Sequence, residues 1–108
     1  MNKEEMQKAI SPEKIEKDLF HAGAVSTIST KDSTKPFETA IAHRSFNNGR
    51  WIVVEEYDNV EDAKTGHSKW KKDMFIDEHL PDELTDVSTS PISIEQGLSG
   101  KTHKRGNK

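Results

Sequence analysis

The stretch from Phe37 to Tyr57 constrains this chain more than any other. Phe37, Thr39, Ile41 and His43 share one face at the two-residue period of a strand. Trp51-Ile52-Val53-Val54-Glu55-Glu56-Tyr57 is the most β-prone run in the sequence. Between them lies Asn47-Asn48-Gly49, residue types that tolerate positive φ, so the two runs predict a hairpin. On the return strand Trp51, Val53, Glu55 and Tyr57 face one way, and Ile52, Val54 and Glu56 the other. Asp58-Asn59 then offers a helix cap, with Glu61 and Asp62 in the first turn where the helix dipole favours them. Val60, Ala63, His67, Trp70 and Met74 follow at steps of three and four. A helix with that seam would lie across one face of the hairpin, giving a ββα unit at roughly residues 36–76.

Composition limits what can be added to this unit. Of the 108 residues only 31% are apolar, and 32% are charged, with a net charge of −3. An average globular domain is about 45–50% apolar with glycine included, so only a small core is expected, within a single domain. No cysteine is present, which excludes disulfides, thiolate zinc sites and cysteine nucleophiles. The charged start has no apolar stretch of the length that a secretory signal or a spanning helix needs. The expectation is therefore a soluble protein with no membrane contact, made in the cytoplasm.

The flanks read differently. Residues 2–10 suit a short helix, Ser11-Pro12 a break and restart, and Ile15, Leu19 and Ala22 the narrow stripe of a second helix that Gly23 ends. Residues 1–23 are thus expected to form a helical arm. Residues 24–30 suit an edge strand, so the core spans 24–76. Residues 77–108 form an acidic stretch followed by a Gly-rich basic end, and are expected to be an extended, flexible tail. The fold class is α+β: a small ββα core with an N-terminal helical segment and an extended C-terminal tail.

Few residues carry a chemical signal. His21, His43, His67, His79 and His103 include no pair at HxxxH spacing, so no metal ligand is assigned. His67 stands out because it lies on the helix seam near Trp70, where it could bond Glu55 or another carboxylate and act as a base or ligand; His43 could be brought beside it. A half-buried histidine satisfied by a neighbour is the plainer reading. Glu55 and Glu56 point to opposite faces and cannot share a site. Gly66 costs about 1 kcal/mol relative to Ala inside a helix, which close approach of helix and hairpin would explain. Lys69-Trp70-Lys71-Lys72 and the basic end suggest phosphate contacts, but Trp70 lies on the seam and the chain is net acidic, so nucleic acid is not expected as a partner. No serine-nucleophile or phosphate-loop motif occurs, and no cofactor is assigned. Asp82, Glu83 and Asp86, in an acidic stretch without Lys or Arg, could mimic nucleic acid before a basic groove.

The set Glu38-Thr39, Tyr57, Ala63 and Gly66-His67 resembles a family of short, uncharacterised tailed-phage proteins with a Tyr-Glu-Thr-Met-x-Phe strand and a Glu-Glu-Ala-x-x-Gly-His helix. The likeness runs over residues 37–70; Phe37, Ala40 and Ala42 depart from the pattern. It implies a phage origin and a protein that is not an enzyme, and it carries over no catalytic residue. The expected function is a small phage interaction or assembly protein, a virion component that docks on a larger structural protein, alone or as an oligomer. The alternative is a host-takeover or anti-defence inhibitor that binds a bacterial protein or nucleotide signal. Interaction residues would be His67, Trp70, Asp82, Glu83 and Asp86, with the host cytoplasm or the virion as location.

Overall fold

The computed structural model describes residues 14–106. Strands β1 (Lys14–Phe20), β2 (Gly23–Ser29), β3 (Phe37–His43) and β4 (Ile52–Tyr57) form an antiparallel meander in chain order. Helix α1 (Val60–Phe75) crosses one face of that sheet. A second, two-stranded sheet pairs β5 (Glu83–Thr85) with β6 (Thr102–Lys104), which flank the short helix α2 (Pro91–Glu95) in sequence. The chain is thus α+β, with six strands in two antiparallel sheets and one main helix among the described residues.

The expected hairpin is present as β3 and β4. Asn47, Asn48 and Gly49 all adopt positive φ (49°, 55° and 79°), the conformation for which these residue types were singled out. A register shift between Thr39 and Ala40 interrupts the pairing. Beyond it Ile52 stands opposite Ile41, so Ile52 joins the helix-facing side together with Glu55, which stands opposite Thr39. Strict alternation had put Ile52 and Glu55 on opposite faces. Asn59 caps α1, its side chain accepting from the Asp62 N–H at 2.8 Å. The core beneath α1 contains Val25, Ile41, Phe46, Ile52, Val54 and Met74, with Leu84 added from β5.

Both flanks differ from expectation. The helical segment expected up to Gly23 is strand β1 over Lys14–Phe20; its proposed first helix, residues 2–10, lies outside the described residues. Pairing decides this. β2, expected at an edge, bonds to β1 on one side and β3 on the other, and an apolar stripe of three residues could not outweigh that ladder. Gly23 opens β2 rather than ending a helix: a Cβ there would fall 1.8 Å from the Ala42 carbonyl oxygen. Residues 77–106, expected as an extended tail, fold back along β4. The Val87 N–H donates to the Val53 carbonyl at 2.8 Å, the Gly106 N–H to Ser45 at 2.7 Å, and Leu84 is buried. That cover protects β4 from open-edge pairing.

The close approach expected at Gly66 is real. A Cβ there would lie 2.2 Å from the Tyr57 hydroxyl oxygen and 2.4 Å from its ring. Gly66→Ala should therefore destabilise the fold by about 1–3 kcal/mol, as overpacking does, despite the better helix propensity of Ala. Chemical denaturation of the two proteins measures this.

Candidate functional site

Strand register lines polar residues up beneath the helix. Glu16 stands opposite Thr27, Thr27 opposite Thr39, and Thr39 opposite Glu55, so one row crosses all four strands on a single face. Helix α1 lowers Ala63, Gly66 and His67 onto this face. Thr27, Thr39 and His67 are almost completely buried, so their polar atoms must find partners within the protein.

They do so in one continuous chain. His67 Nε2 lies 2.8 Å from Asp18 Oδ2, and His67 Nδ1 lies 2.7 Å from Thr27 Oγ1. Thr27 bonds Thr39, hydroxyl to hydroxyl. The Tyr57 hydroxyl is 3.0 Å from Thr39 Oγ1 and 3.2 Å from Glu55 Oε1. Glu55 Oε1 also accepts from the Trp70 indole N–H at 2.8 Å and from Lys69 Nζ at 3.0 Å. At the opposite end Lys71 Nζ stands 3.3 Å from Asp18 Oδ1. The chain thus starts and ends on a half-exposed carboxylate, each paired with a lysine from α1.

Electrostatics follow these contacts. The hydrogen bond from His67 holds the Asp18 carboxyl below its ordinary range; burial opposes this and Lys71 adds to it. Burial alone would push Glu55 up, but the bonds from Trp70 and Lys69 together outweigh it and hold Glu55 low. Burial pushes the Tyr57 hydroxyl up to about 12.

Asp18, His67 and Thr27 have the order of a carboxylate–imidazole–hydroxyl triad. The hydroxyl is nonetheless no nucleophile toward a bound substrate. Thr27 is 0% exposed and already bonded to both Thr39 and His67. A depression of about 310 Å³ opens at the Glu55 end, lined by Lys35, Glu55, Tyr57, Asp62, Gly66 and Lys69.

The sequence-derived site residues separate. His67 and Trp70 both enter the chain, His67 through Asp18 and Trp70 through Glu55. Glu55 reaches His67 only through Tyr57, Thr39 and Thr27. His43 lies at the far end of β3 against Phe20 and Phe46. Its Nδ1 accepts from the Ser45 N–H at 3.0 Å, and Nε2 has no partner among the described residues. Burial lowers its pKa. Asp82 is exposed 3.7 Å from Arg105, and Glu83 stands opposite Lys104. Asp86 is buried, its Oδ1 accepting from the Ser88 N–H at 2.9 Å. The three acids therefore do not form one open acidic face.

Asp18, Thr27 and Thr39 escaped sequence reasoning. Asp18 lay in a segment read as helix, and the two threonines read as ordinary strand formers. The available signal was Thr39 itself, a hydroxyl between Phe37 and Ile41 on a face destined for burial.

Thr39→Val keeps the shape but leaves Thr27 and Tyr57 short of a partner, at a cost of about 1–3 kcal/mol in denaturant unfolding. Tyr57 is the only tyrosine, so phenolate absorbance reports it alone. It should titrate near 12 in the folded protein and about 10 once unfolded. Because the folded value is the higher, its contribution to stability is complete below about pH 10 and is lost as pH rises toward the folded value. A folded-state midpoint at the unfolded value would contradict the buried chain. Compared with known proteins, the chain matches no family model, no curated protein and no solved structure.

Proposed function

We propose that this protein is a small interaction module that docks on a larger protein through the sheet face turned away from α1. The observation that carries this reading is the exposed pair Leu19 and Trp51 at one end of that face. Asp18 and Phe20 of β1 point toward the helix, so Lys17 and Leu19 point the other way. Leu19 is 73% exposed and Trp51 48% exposed. Lys17 Nζ stands 5.8 Å from the centre of the Trp51 ring, so the indole and β1 meet over the face. Ala24 and Ala42 form a facing pair of small side chains on the strands between, and Ala24 is buried. A large aromatic beside small residues on a sheet face is the composition of a docking patch.

The resemblance to tailed-phage proteins supports a structural protein of the particle as the partner, and an assembly or virion role. The mimicry alternative gains less, since Asp86 is buried and Asp82 and Glu83 each face a basic residue within the chain. The enzyme reading gains least, because Thr27, the hydroxyl beside His67, is closed off from substrate.

A double variant, Leu19→Ser with Trp51→Ser, tests the docking reading. It should keep the fold by circular dichroism and lose co-purification with the phage structural protein captured by the original chain. Retained capture, or absence of the protein from purified particles, would overturn the virion assignment. A concentration-dependent dimer in solution that the double variant abolishes would instead assign the face to a second copy.

A further inference from the structure

On the helix side of β1, Glu16 and Asp18 project next to His67, and one donor atom from each lies within 4.8 Å of the other two. We propose that these three side chains bind a divalent first-row transition ion, with His67 Nε2 and the two carboxylates as ligands. The site is separate from the docking face and does not depend on that reading.

Three features of the molecule support it. The first is charge. Asp18 has Lys71 and His67 as partners, whereas no ion pair joins Glu16 to any described residue. Glu16 is thus an uncompensated carboxylate held close to a like-charged one, an arrangement that a cation relieves. The second is geometry. Tetrahedral metal–ligand bonds of about 2.0–2.2 Å place adjacent donor atoms about 3.4 Å apart. His67 Nε2 and Asp18 Oδ2 stand 2.8 Å apart, so entry of an ion needs them to part by little. The third is the support behind the imidazole. His67 is 1% exposed, and its other nitrogen is held by Thr27. A buried partner on the remote nitrogen is what fixes ring orientation and tautomer in metal-binding histidines.

The donor set selects the ion class. One imidazole and two carboxylates suit Zn²⁺ or Mn²⁺, while Ca²⁺ prefers six to eight oxygens. Three protein ligands at a half-exposed carboxylate leave positions open to water or to a further ligand.

Occupancy would also reverse the polarity of the buried chain. Without an ion, Nε2–H donates to Asp18, Nδ1 accepts from Thr27, Thr27 accepts from Thr39, and Thr39 accepts from Tyr57. With an ion on Nε2, the ring proton sits on Nδ1 and donates to Thr27. Thr27 then donates to Thr39, Thr39 to Tyr57, and Tyr57 to Glu55. His67 and the three hydroxyls each carry one proton in both states, so the number of protons balances. Tyr57 lies within hydrogen-bond distance of both Thr39 and Glu55, as this reversal requires.

The test is calorimetric titration of the metal-free full chain with Zn²⁺, with Ca²⁺ as control, together with nitrogen NMR of the His67 ring. Saturation at one Zn²⁺ per chain, with metal on Nε2 and the proton on Nδ1, is expected, and no comparable Ca²⁺ binding. Glu16→Gln should weaken Zn²⁺ about 10-fold or more while leaving the metal-free melting temperature unchanged or higher. Thr27→Val should weaken it by about 10-fold through loss of the ring's support. Absence of saturable Zn²⁺ binding, or binding that Glu16→Gln and Asp18→Asn leave untouched, would overturn the site.

Discussion

Burial of His67 sets the terms for everything that α1 and the sheet do together. For an imidazole that is 1% exposed, a nitrogen left unpaired costs more than a hydrogen bond contributes, and His67 has both engaged. Asp18 satisfies one nitrogen from the sheet edge and Thr27 the other from its interior. Engaging Thr27 places a demand on Thr39, and engaging Thr39 places one on Tyr57, until the series reaches Glu55 and solvent. One buried ring therefore fixes the register of all four strands relative to the helix. Slipping any strand by one residue would turn its member of the chain to the opposite face.

The same demand explains Gly66. Tyr57 can reach Thr39 only if its ring lies beneath the helix, in the space that a side chain at position 66 would fill. The propensity cost of a mid-helix glycine and the polar cost of burying a tyrosine hydroxyl are thus linked. Each is tolerated because of the other. His43 offers a contrast within one sheet. It is equally buried, but its Nε2 has no partner among the described residues, and its surroundings are aromatic rather than polar. The polar chain organises one half of the helix-facing side, and apolar contacts organise the other.

The two faces of the sheet consequently serve different ends. Beneath α1 the side chains are committed to one another, and chemistry is accessible only at the two carboxylate ends. The opposite face carries small residues beside Trp51 and Leu19 at one end, while Glu38 and Glu56 toward the other are bonded to Ser33 and Thr89. The refolded tail keeps β4 from acting as an adhesive edge.

Local patterning alone determined the hairpin, its Asn-Asn-Gly turn, the capped helix and the need for close packing at Gly66. Each of these depends on residues near one another in sequence and on strong periodic or conformational preferences. The strand at Lys14–Phe20 was illegible for the opposite reason. Its intrinsic preference is weak, and what makes it a strand is the unpaired ladder of β2. The tail was misread likewise, since its few apolar points become a reason to fold only once β4 and Leu84's pocket in the core exist. For the candidate site, the sequence identified His67, Trp70 and Glu55 as notable but could not connect them. Asp18, Thr27 and Thr39 come from three different strands, and only antiparallel register joins them in one chain through His67. Tertiary structure decided which carboxylate His67 meets.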